Sequence, residues 1–228
     1  MIKNPNTLLR VWTLIALLAL PAFADSAGDQ RGIAENRVRY ANEVIRNRMN
    51  SWLPIPNLVI RNTKCLAALR VVKAGFAWGG QGSTGLVSCR NNGQWSPPSY
   101  FTVDGVSFGF QIGVQFLESI LSFMTVKGHD LLKHINVKIG SDLSFAAGPV
   151  GQGSDVGILP DAAVLSFDKA YGLFAGSTVN GFVLAHNRRL NASVYGEGVT
   201  PAMILSGSHG PVPEVVDPFL ATLEQYFP

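Results

Sequence analysis

The fold of this chain is decided by residues 105–115, GVSFGFQIGVQ, which follow the short block 95–98, WSPP. In 105–115, glycine or polar residues alternate with valine, phenylalanine and isoleucine. A period of two predicts a β-strand, here with one crowded face and one nearly bare face. A bare strand face permits close approach of another backbone or strong curvature. The stretch therefore predicts a curved β-sheet.

Outward from this stretch, short strand-like segments alternate with Gly, Asn and Pro clusters. Upstream they predict a β-meander, and downstream they predict a mixed region closed by an amphipathic helix over 213–226. The expected upstream strands are 65–72, 76–79, 86–90 and 100–103. Downstream we expect a strand or short helix over 116–125, a helix around 129–134, and strands near 137–146, 162–167 and 173–184. The predicted fold class is α+β and β-rich, with an antiparallel curved sheet.

Composition supports one folded body of this kind. Hydrophobic residues make up 47% and charged residues 14% of the 228 residues, which argues against disorder. The 24 glycines and 13 prolines are typical of a β-rich body with many turns. A single domain with a sizeable core is expected at this length.

Residues 1–24 have the features of a secretory signal peptide. Lys3 and Arg10 are basic, residues 11–20 are apolar, and Ala22–Phe23–Ala24 is a small-x-small cleavage motif. The apolar run is shorter than the about 20 residues that span a bilayer as a helix. We therefore predict an exported protein, periplasmic in a Gram-negative source, divided into a signal peptide (1–24), a basic helical segment (25–54) and a main domain (55–228).

The segment after the signal peptide predicts an amphipathic helix over residues 33–53. Its apolar residues recur every three or four positions, and Pro54 and Pro56 end the pattern. They are Ala34, Val38, Ala41, Ile45, Met49 and Trp52. A helix with this stripe and arginines opposite can lie in a membrane interface, or it can pack its stripe on the β body. Both interpretations are open at this point. A short second helix follows, from Pro56 to about Thr63.

Positive charge is concentrated in the same part of the chain. Residues 31–73 hold nine basic and two acidic side chains, a net charge of +7, whereas the whole chain carries +3. An anionic partner should therefore meet this segment first. The candidate lipid-binding residues are Arg37, Arg39, Arg46, Arg48, Trp52, Arg61 and Lys64.

The chain has two cysteines, Cys65 and Cys89. In an exported protein the natural prediction is a disulfide that joins neighbouring strands. Two buried free thiols are the alternative. A zinc site is a weaker interpretation, because four ligands are needed and the cysteines and histidines do not have zinc-finger spacing.

Other motifs resemble catalytic or cofactor sites but lack the context that the chemistry needs. Residues 80–85, GQGSTG, match the dinucleotide fingerprint, yet no helix is predicted to begin there. Ser107 lies in a G-x-S-x-G pattern, but within strand-like sequence rather than at a strand-to-helix turn. His129 and His134 are five apart, off the spacing of two ligands on one helix face. We predict no catalytic residue, no cofactor and no metal.

Several blocks in order resemble the SYLF domain family, in its bacterial, exported branch. The matching blocks are Ile55–Pro56, Cys65, Gly79–Gly80, Cys89–Arg90, Trp95–Ser96 with Pro98, residues 109–113 with Gln115, residues 143–151 and 172–176, Asn191 and Tyr195–Gly196. The resemblance runs from about residue 55 to residue 226. It implies a barrel-like α+β domain that binds membrane lipids and, in some eukaryotic members, actin. The chain departs from the family pattern at Glu118, at Gln152 and over residues 167–171.

Charge and resemblance together predict a non-enzymatic, periplasmic lipid- or membrane-binding protein that recognises anionic phospholipid. The alternative is an envelope protein-interaction or structural module with a protein partner. No nucleic-acid partner is expected.

Overall fold

The computed structural model describes residues 27–76, 78–107, 111–134, 136–139, 145–147, 164–176 and 182–228. Within these residues there are six α-helices, one 3-10 helix (Glu214–Val216) and nine strands. The helices are α1 (Ala27–Met49), α2 (Asn57–Asn62), α3 (Val126–Leu131), α4 (Arg188–Tyr195), α5 (Pro201–Ser206) and α6 (Asp217–Tyr226). The strands are β1 (Cys65–Phe76), β2 (Trp78–Asn91), β3 (Gln94–Trp95), β4 (Ser99–Ser107), β5 (Gln111–Phe123), β6 (Asn136–Ile139), β7 (Phe145–Ala147), β8 (Val164–Gly176) and β9 (Phe182–His186).

The described strands form one sheet in the order β6-β9-β4-β2-β1-β5-β8-β7, with β3 paired to the end of β2. Neighbours are antiparallel except β7 and β8, which are parallel. The sheet curls into a half-barrel, with a helix before it and a helix after it in the chain. The predicted α+β class with a curved, barrel-like antiparallel sheet is therefore confirmed.

Side-chain alternation divides the core between the two faces of the sheet. On one face, which we call the α1 face, Ala68 of β1 and Ile120 of β5 belong to the cluster that contains α1 and α6. On the opposite face, Leu69 of β1 and Leu121 of β5 belong to a second cluster, with Leu132 after α3. Because both faces are buried at the start of β1, residues 65–69 of that strand are a continuous apolar run.

Helix α1 begins earlier and ends earlier than the predicted 33–53 helix. Asp29 in its first turn and Arg46 and Arg48 in its last turn suit the helix dipole. After Met49 the chain turns, and the Ser51 hydroxyl donates to the Arg48 carbonyl at 2.7 Å. Trp52 is therefore not a helical residue, and the prediction was wrong there because its periodic spacing continues past the point where Ser51 and Pro54 end the helix.

Two segments that were not predicted as parts of long strands lie within strands of the structure. Strand β2 runs through residues 80–85, and β5 shows that the ambiguous segment 116–125 is a strand as far as Phe123. At Gly85, an added Cβ would collide with the backbone of Ala68 and Leu69 on β1. That glycine allows a close approach of the two strands.

Two helices after β9 were not predicted, although each carries an end signal. Asn187 caps α4 by accepting from the Leu190 amide at 3.0 Å, and Thr200 caps α5 by accepting from the Met203 amide at 3.2 Å. Gly207 ends α5 with a left-handed φ of 75°. Both helices have fewer than nine residues, too few for their apolar period to stand out.

The predicted closing helix over 213–226 is present as the 3-10 turn followed by α6. Its Val216, Phe219 and Leu223 are buried on the α1 face. Among the described residues, no helix has both the length and the apolar character needed to cross a membrane.

Candidate functional site

The apolar stripe of α1 lies in the protein core. Ala34, Val38, Ala41 and Ile45 are each at most 4% exposed and pack with the α1 face of the sheet. Of the two interpretations that the sequence left open, packing on the β body is the one that the structure shows. The stripe is therefore not available to enter a membrane interface.

The candidate arginines of α1 divide into two pairs. Arg37 and Arg48 are partly buried, and burial lowers the pKa of each guanidinium. Arg48 lies 5.5 Å from the centre of the Phe167 ring, so it packs on β8. Arg39 and Arg46 are exposed, but Arg39 already bonds to Glu43 at 3.3 Å and to the Asn36 side chain at 3.0 Å.

A polar cluster joins α1 to the sheet. Arg70 of β1 contacts Glu43 of α1 at 3.2 Å and Glu118 of β5 at 3.3 Å. The Asn47 side-chain amide donates to Glu118 Oε2 at 3.0 Å. Arg70 also lies 4.4 Å from the centre of the Tyr40 ring. Glu118, which departs from the family pattern, thus serves as an acceptor that fixes α1 on the sheet.

The remaining candidates, Trp52, Arg61 and Lys64, are exposed. Arg61 in α2 and Lys64 lie beside the start of β1 at one end of the sheet, and Trp52 lies in the bend after α1. Trp52 has 84% of its surface exposed, and Leu58, which sequence reasoning missed, has 48% exposed. Leu58 and Arg61 are three residues apart on α2, so they share a helix face. A single exposed apolar side chain is common, so what matters is whether several of them share one surface.

The same end of the sheet carries two further exposed residues, Val126 and Lys127, at the start of α3. The Lys64 amide donates to the Phe123 carbonyl at 2.8 Å, and α3 begins three residues after Phe123. Val126 is 65% exposed. We call the exposed set Trp52, Leu58, Arg61, Lys64, Val126 and Lys127 the basic apolar edge. Val126 and Lys127 were not predicted from the sequence, because only the pairing of β1 with β5 brings the start of α3 close to Lys64.

The backbone beneath this edge is firmly held. Val59 and Ile60 of α2 are buried in the core, and the Thr63 hydroxyl donates to the Val59 carbonyl at 2.7 Å. The Arg90 amide donates to the Lys64 carbonyl at 2.7 Å. The exposed side chains are therefore presented by a fixed scaffold, which lowers the entropy lost when a surface binds them.

Cys65 and Cys89 lie directly opposite each other across β1 and β2, with their sulfur atoms 2.07 Å apart in a disulfide. A ring nitrogen of His129 lies within 4.8 Å of both sulfurs. In the described part of the chain, this is the group of histidine, cysteine and carboxylate side chains that could hold a metal ion.

The other motifs do not have the context of a cofactor or catalytic site where they are described. Residues 80–85 lie inside β2, so no helix begins at this segment as the fingerprint requires. Ser107 is the last residue of β4. Residues 143–144 and 148–151 of the matching blocks, and Gln152, lie outside the described residues.

Comparison with known proteins identifies the family. The family described as "Ysc84: Las17-binding protein actin regulator" matches residues 104–226. The chain belongs to the Ysc84 (SYLF) family. The match extends from residue 104 in β4 to the end of α6, and it confirms the resemblance to the SYLF family. That the chain belongs to a bacterial, exported branch stays a prediction.

Members of the Ysc84 family with curated descriptions are similar to this chain over most of its length. LAS seventeen-binding protein 3 of Saccharomyces cerevisiae is 32% identical over 179 residues, which cover 75% of this chain and 38% of that protein. Protein YSC84 of the same yeast is 32% identical over 176 residues, 75% of this chain and 37% of that protein. Human SH3 domain-containing YSC84-like protein 1 is 33% identical over 157 residues, 67% of this chain and 46% of that protein.

The chain thus spans less than half the length of these relatives. No solved structure matches it.

Proposed function

We propose that this Ysc84-family protein is a non-enzymatic protein of the periplasm that binds the surface of membranes rich in anionic phospholipid. The observation that carries the proposal is the 84% exposure of Trp52, within a basic apolar edge. Tryptophan is enriched at membrane interfaces, since its ring is apolar and its N–H is polar. Export is proposed from the signal-like residues 1–24.

The chemistry of the edge suits an anionic lipid surface. Trp52, Leu58 and Val126 offer apolar side chains that can enter the headgroup region. Arg61, Lys64 and Lys127 add positive charge, and each basic residue near an anionic surface contributes about 1 kcal/mol. This assignment moves the lipid contact from α1, where the apolar stripe is buried, to the end of the sheet.

The test is flotation of the protein that lacks residues 1–24 with phosphatidylglycerol vesicles and with phosphatidylcholine vesicles, at low and high salt. We expect binding to the anionic vesicles that weakens with salt. The double variant R61Q/K64Q should bind about 30-fold more weakly, since two contributions of about 1 kcal/mol are lost. W52A should also weaken binding, and its residual binding should keep the salt dependence.

The matched control is R39Q/R46Q, which removes the same charge from exposed positions of α1. At physiological ionic strength we expect this variant to bind within about twofold of the parent, since screening then confines the attraction to a Debye length of about 8 Å. Equal losses in the two double variants would contradict the edge as the contact site. No binding to anionic vesicles at low salt would contradict the membrane function itself.

A protein partner in the cell envelope is the second candidate function. The family description and one relative's name refer to Las17 binding, which is binding of a protein. An exposed tryptophan is also a common anchor of protein interfaces. This alternative predicts a partner that is retained in detergent, lost in W52A, and indifferent to vesicle charge.

A further inference from the structure

Three side chains that can ligate a metal ion lie close together at one end of the sheet. They come from the start of β1, from the end of β2 and from α3. The sulfur atoms of Cys65 and Cys89 and a ring nitrogen of His129 all lie within 4.8 Å of one another. Cys65 pairs with Cys89 on one side and with Phe123 on the other, and α3 follows Phe123 closely. The register of the sheet therefore brings three separate segments to one point.

The two ring nitrogens of His129 have different surroundings. Its Nδ1 lies 3.4 Å from Asp130 Oδ1. Its Nε2 is shielded from solvent and has no hydrogen-bond partner among the described residues. A shielded nitrogen without a partner needs an explanation, because leaving a buried polar atom unpaired costs free energy. In metal sites, a ligating histidine commonly donates its other ring N–H to a carboxylate, as Asp130 can accept here.

The surroundings are apolar, so the charge of a divalent cation there has to be balanced by the two thiolates. Both cysteines are fully buried in the apolar cluster of the opposite face, together with Phe123 and Leu132. In the oxidised protein the sulfurs are bonded to each other and cannot act as thiolates.

We propose that Cys65, Cys89 and His129 form a Zn²⁺ site when their disulfide is reduced, so that the protein alternates between a cross-linked form and a metal-bound form. A dithiol reductant supplies two electrons and two protons, cleaves the S–S bond and is itself oxidised to a disulfide. Zn²⁺ then displaces the two thiol protons and binds two thiolates and His129 Nε2. Water takes the fourth position of the tetrahedron.

Distances support zinc as the cation. With Zn–S bonds of about 2.3 Å, a tetrahedral site places two sulfurs about 3.8 Å apart. Reduction and a small rotation of the cysteine side chains can reach that separation from a site whose ligand atoms already lie within 4.8 Å. Thiolate and imidazole ligands favour zinc over calcium or magnesium, which prefer oxygen.

The experiment uses the full chain, reduced with dithiothreitol, freed of reductant without air, and titrated with Co²⁺ as a spectroscopic substitute for zinc. We expect a thiolate-to-cobalt charge-transfer band that saturates at one equivalent and disappears when Zn²⁺ is added. The oxidised protein should show no such band. A reduced protein without a saturable band, or an oxidised protein that binds equally, would overturn the proposal.

Variants in and near α3 test whether His129 is a metal ligand or whether the two cysteines bind the metal without it. H129A should weaken Co²⁺ binding at least tenfold, whereas the matched control H134A, an exposed histidine just after α3, should leave it unchanged. D130N should weaken binding about tenfold through the orientation of the His129 ring. Equal affinity in H129A and the parent would overturn the assignment.

Near-UV circular dichroism checks that the reduced chain keeps its packing. If reduction loosens the fold, Zn²⁺ should restore the signal in the parent and in H134A but not in H129A. Failure of Zn²⁺ to restore it in the parent would count against the site.

Discussion

His186 is the buried residue whose protonation the fold opposes most clearly. Its Nε2 donates to the Leu132 carbonyl at 2.9 Å, and its Nδ1 accepts from the Ser99 hydroxyl at 2.7 Å. The Asn191 amide donates to the same hydroxyl oxygen at 3.0 Å, which leaves the Ser99 proton directed at His186. The network therefore suits the neutral ring, and burial lowers the pKa of His186 to about 4.

This pKa predicts that the protein loses stability in mild acid. The histidine of an unfolded chain has a pKa of about 6.5, so between that value and the folded pKa the unfolded state binds the proton first. The contribution of His186 is complete above the unfolded pKa and is lost as the pH falls toward the folded pKa. From pH 7 to pH 5 the unfolding free energy should fall by about 2 kcal/mol on this account. Urea unfolding at several pH values measures it.

Two glutamine variants test the source of that dependence. H186Q should flatten the change of unfolding free energy between pH 7 and pH 5, although it lowers stability at pH 7. H134Q changes an exposed histidine and should keep the slope of the parent. A slope that H186Q leaves intact would assign the pH dependence to other groups.

At the scale of elements, the apolar face of α1 was predicted correctly from the sequence, but the surface that covers this face was not. The spacing of Val38, Ala41 and Ile45 correctly identified one face. It could not say what covers that face, because an apolar stripe looks the same against a membrane and against a sheet. The contacts that decide the question, from Asn47 and Arg70 to Glu118, join residues far apart in the chain and leave no local pattern.

If α1 belongs to the core, truncation of its stripe must destabilise the whole domain. I45A removes a fully buried side chain and should lower the unfolding free energy by about 2–4 kcal/mol, because a cavity remains between α1 and the sheet. The adjacent R46A, at an exposed position, should change it by less than about 0.5 kcal/mol. Urea unfolding followed by tryptophan fluorescence compares the two. A cost for I45A no larger than that for R46A would mean that α1 is not part of the folded unit.

For the molecule as a whole, the features that depend on neighbouring residues could be predicted from the sequence. The features that depend on residues far apart in the chain could not. The strands β1 and β4, the second half of β2 and the helix α6 were recognisable, because their periods are local. The basic apolar edge was found only in part: Trp52, Arg61 and Lys64 stand in a basic segment, whereas Val126 joins them through the pairing of β1 with β5. His129 beside the disulfide was missed for the same reason.

The two ends of the described chain are tied to the same sheet. The guanidinium of Arg90 and the indole N–H of Trp95 both donate to the Phe227 carbonyl, at 2.7 and 2.9 Å. Arg90 also stacks 4.6 Å from the Trp95 ring centre, and α6 packs against α1. The block 95–98, which opens the most informative stretch of the sequence, thus holds the C-terminal segment on β2 and β3.

The disulfide adds a constraint on the unfolded chain to these folded-state contacts. Cys65 and Cys89 are 24 residues apart, and in the chain-entropy model a loop of that length contributes about 3 kcal/mol. Reduction in the presence of a chelator should lower the unfolding free energy by about that amount, because the reduced unfolded chain gains conformations. The double variant C65A/C89A should show a similar loss, and a reductant should not change it further. If the parent loses no stability on reduction, the cross-link does not limit the unfolded state, and the sheet contacts alone account for the stability of the domain.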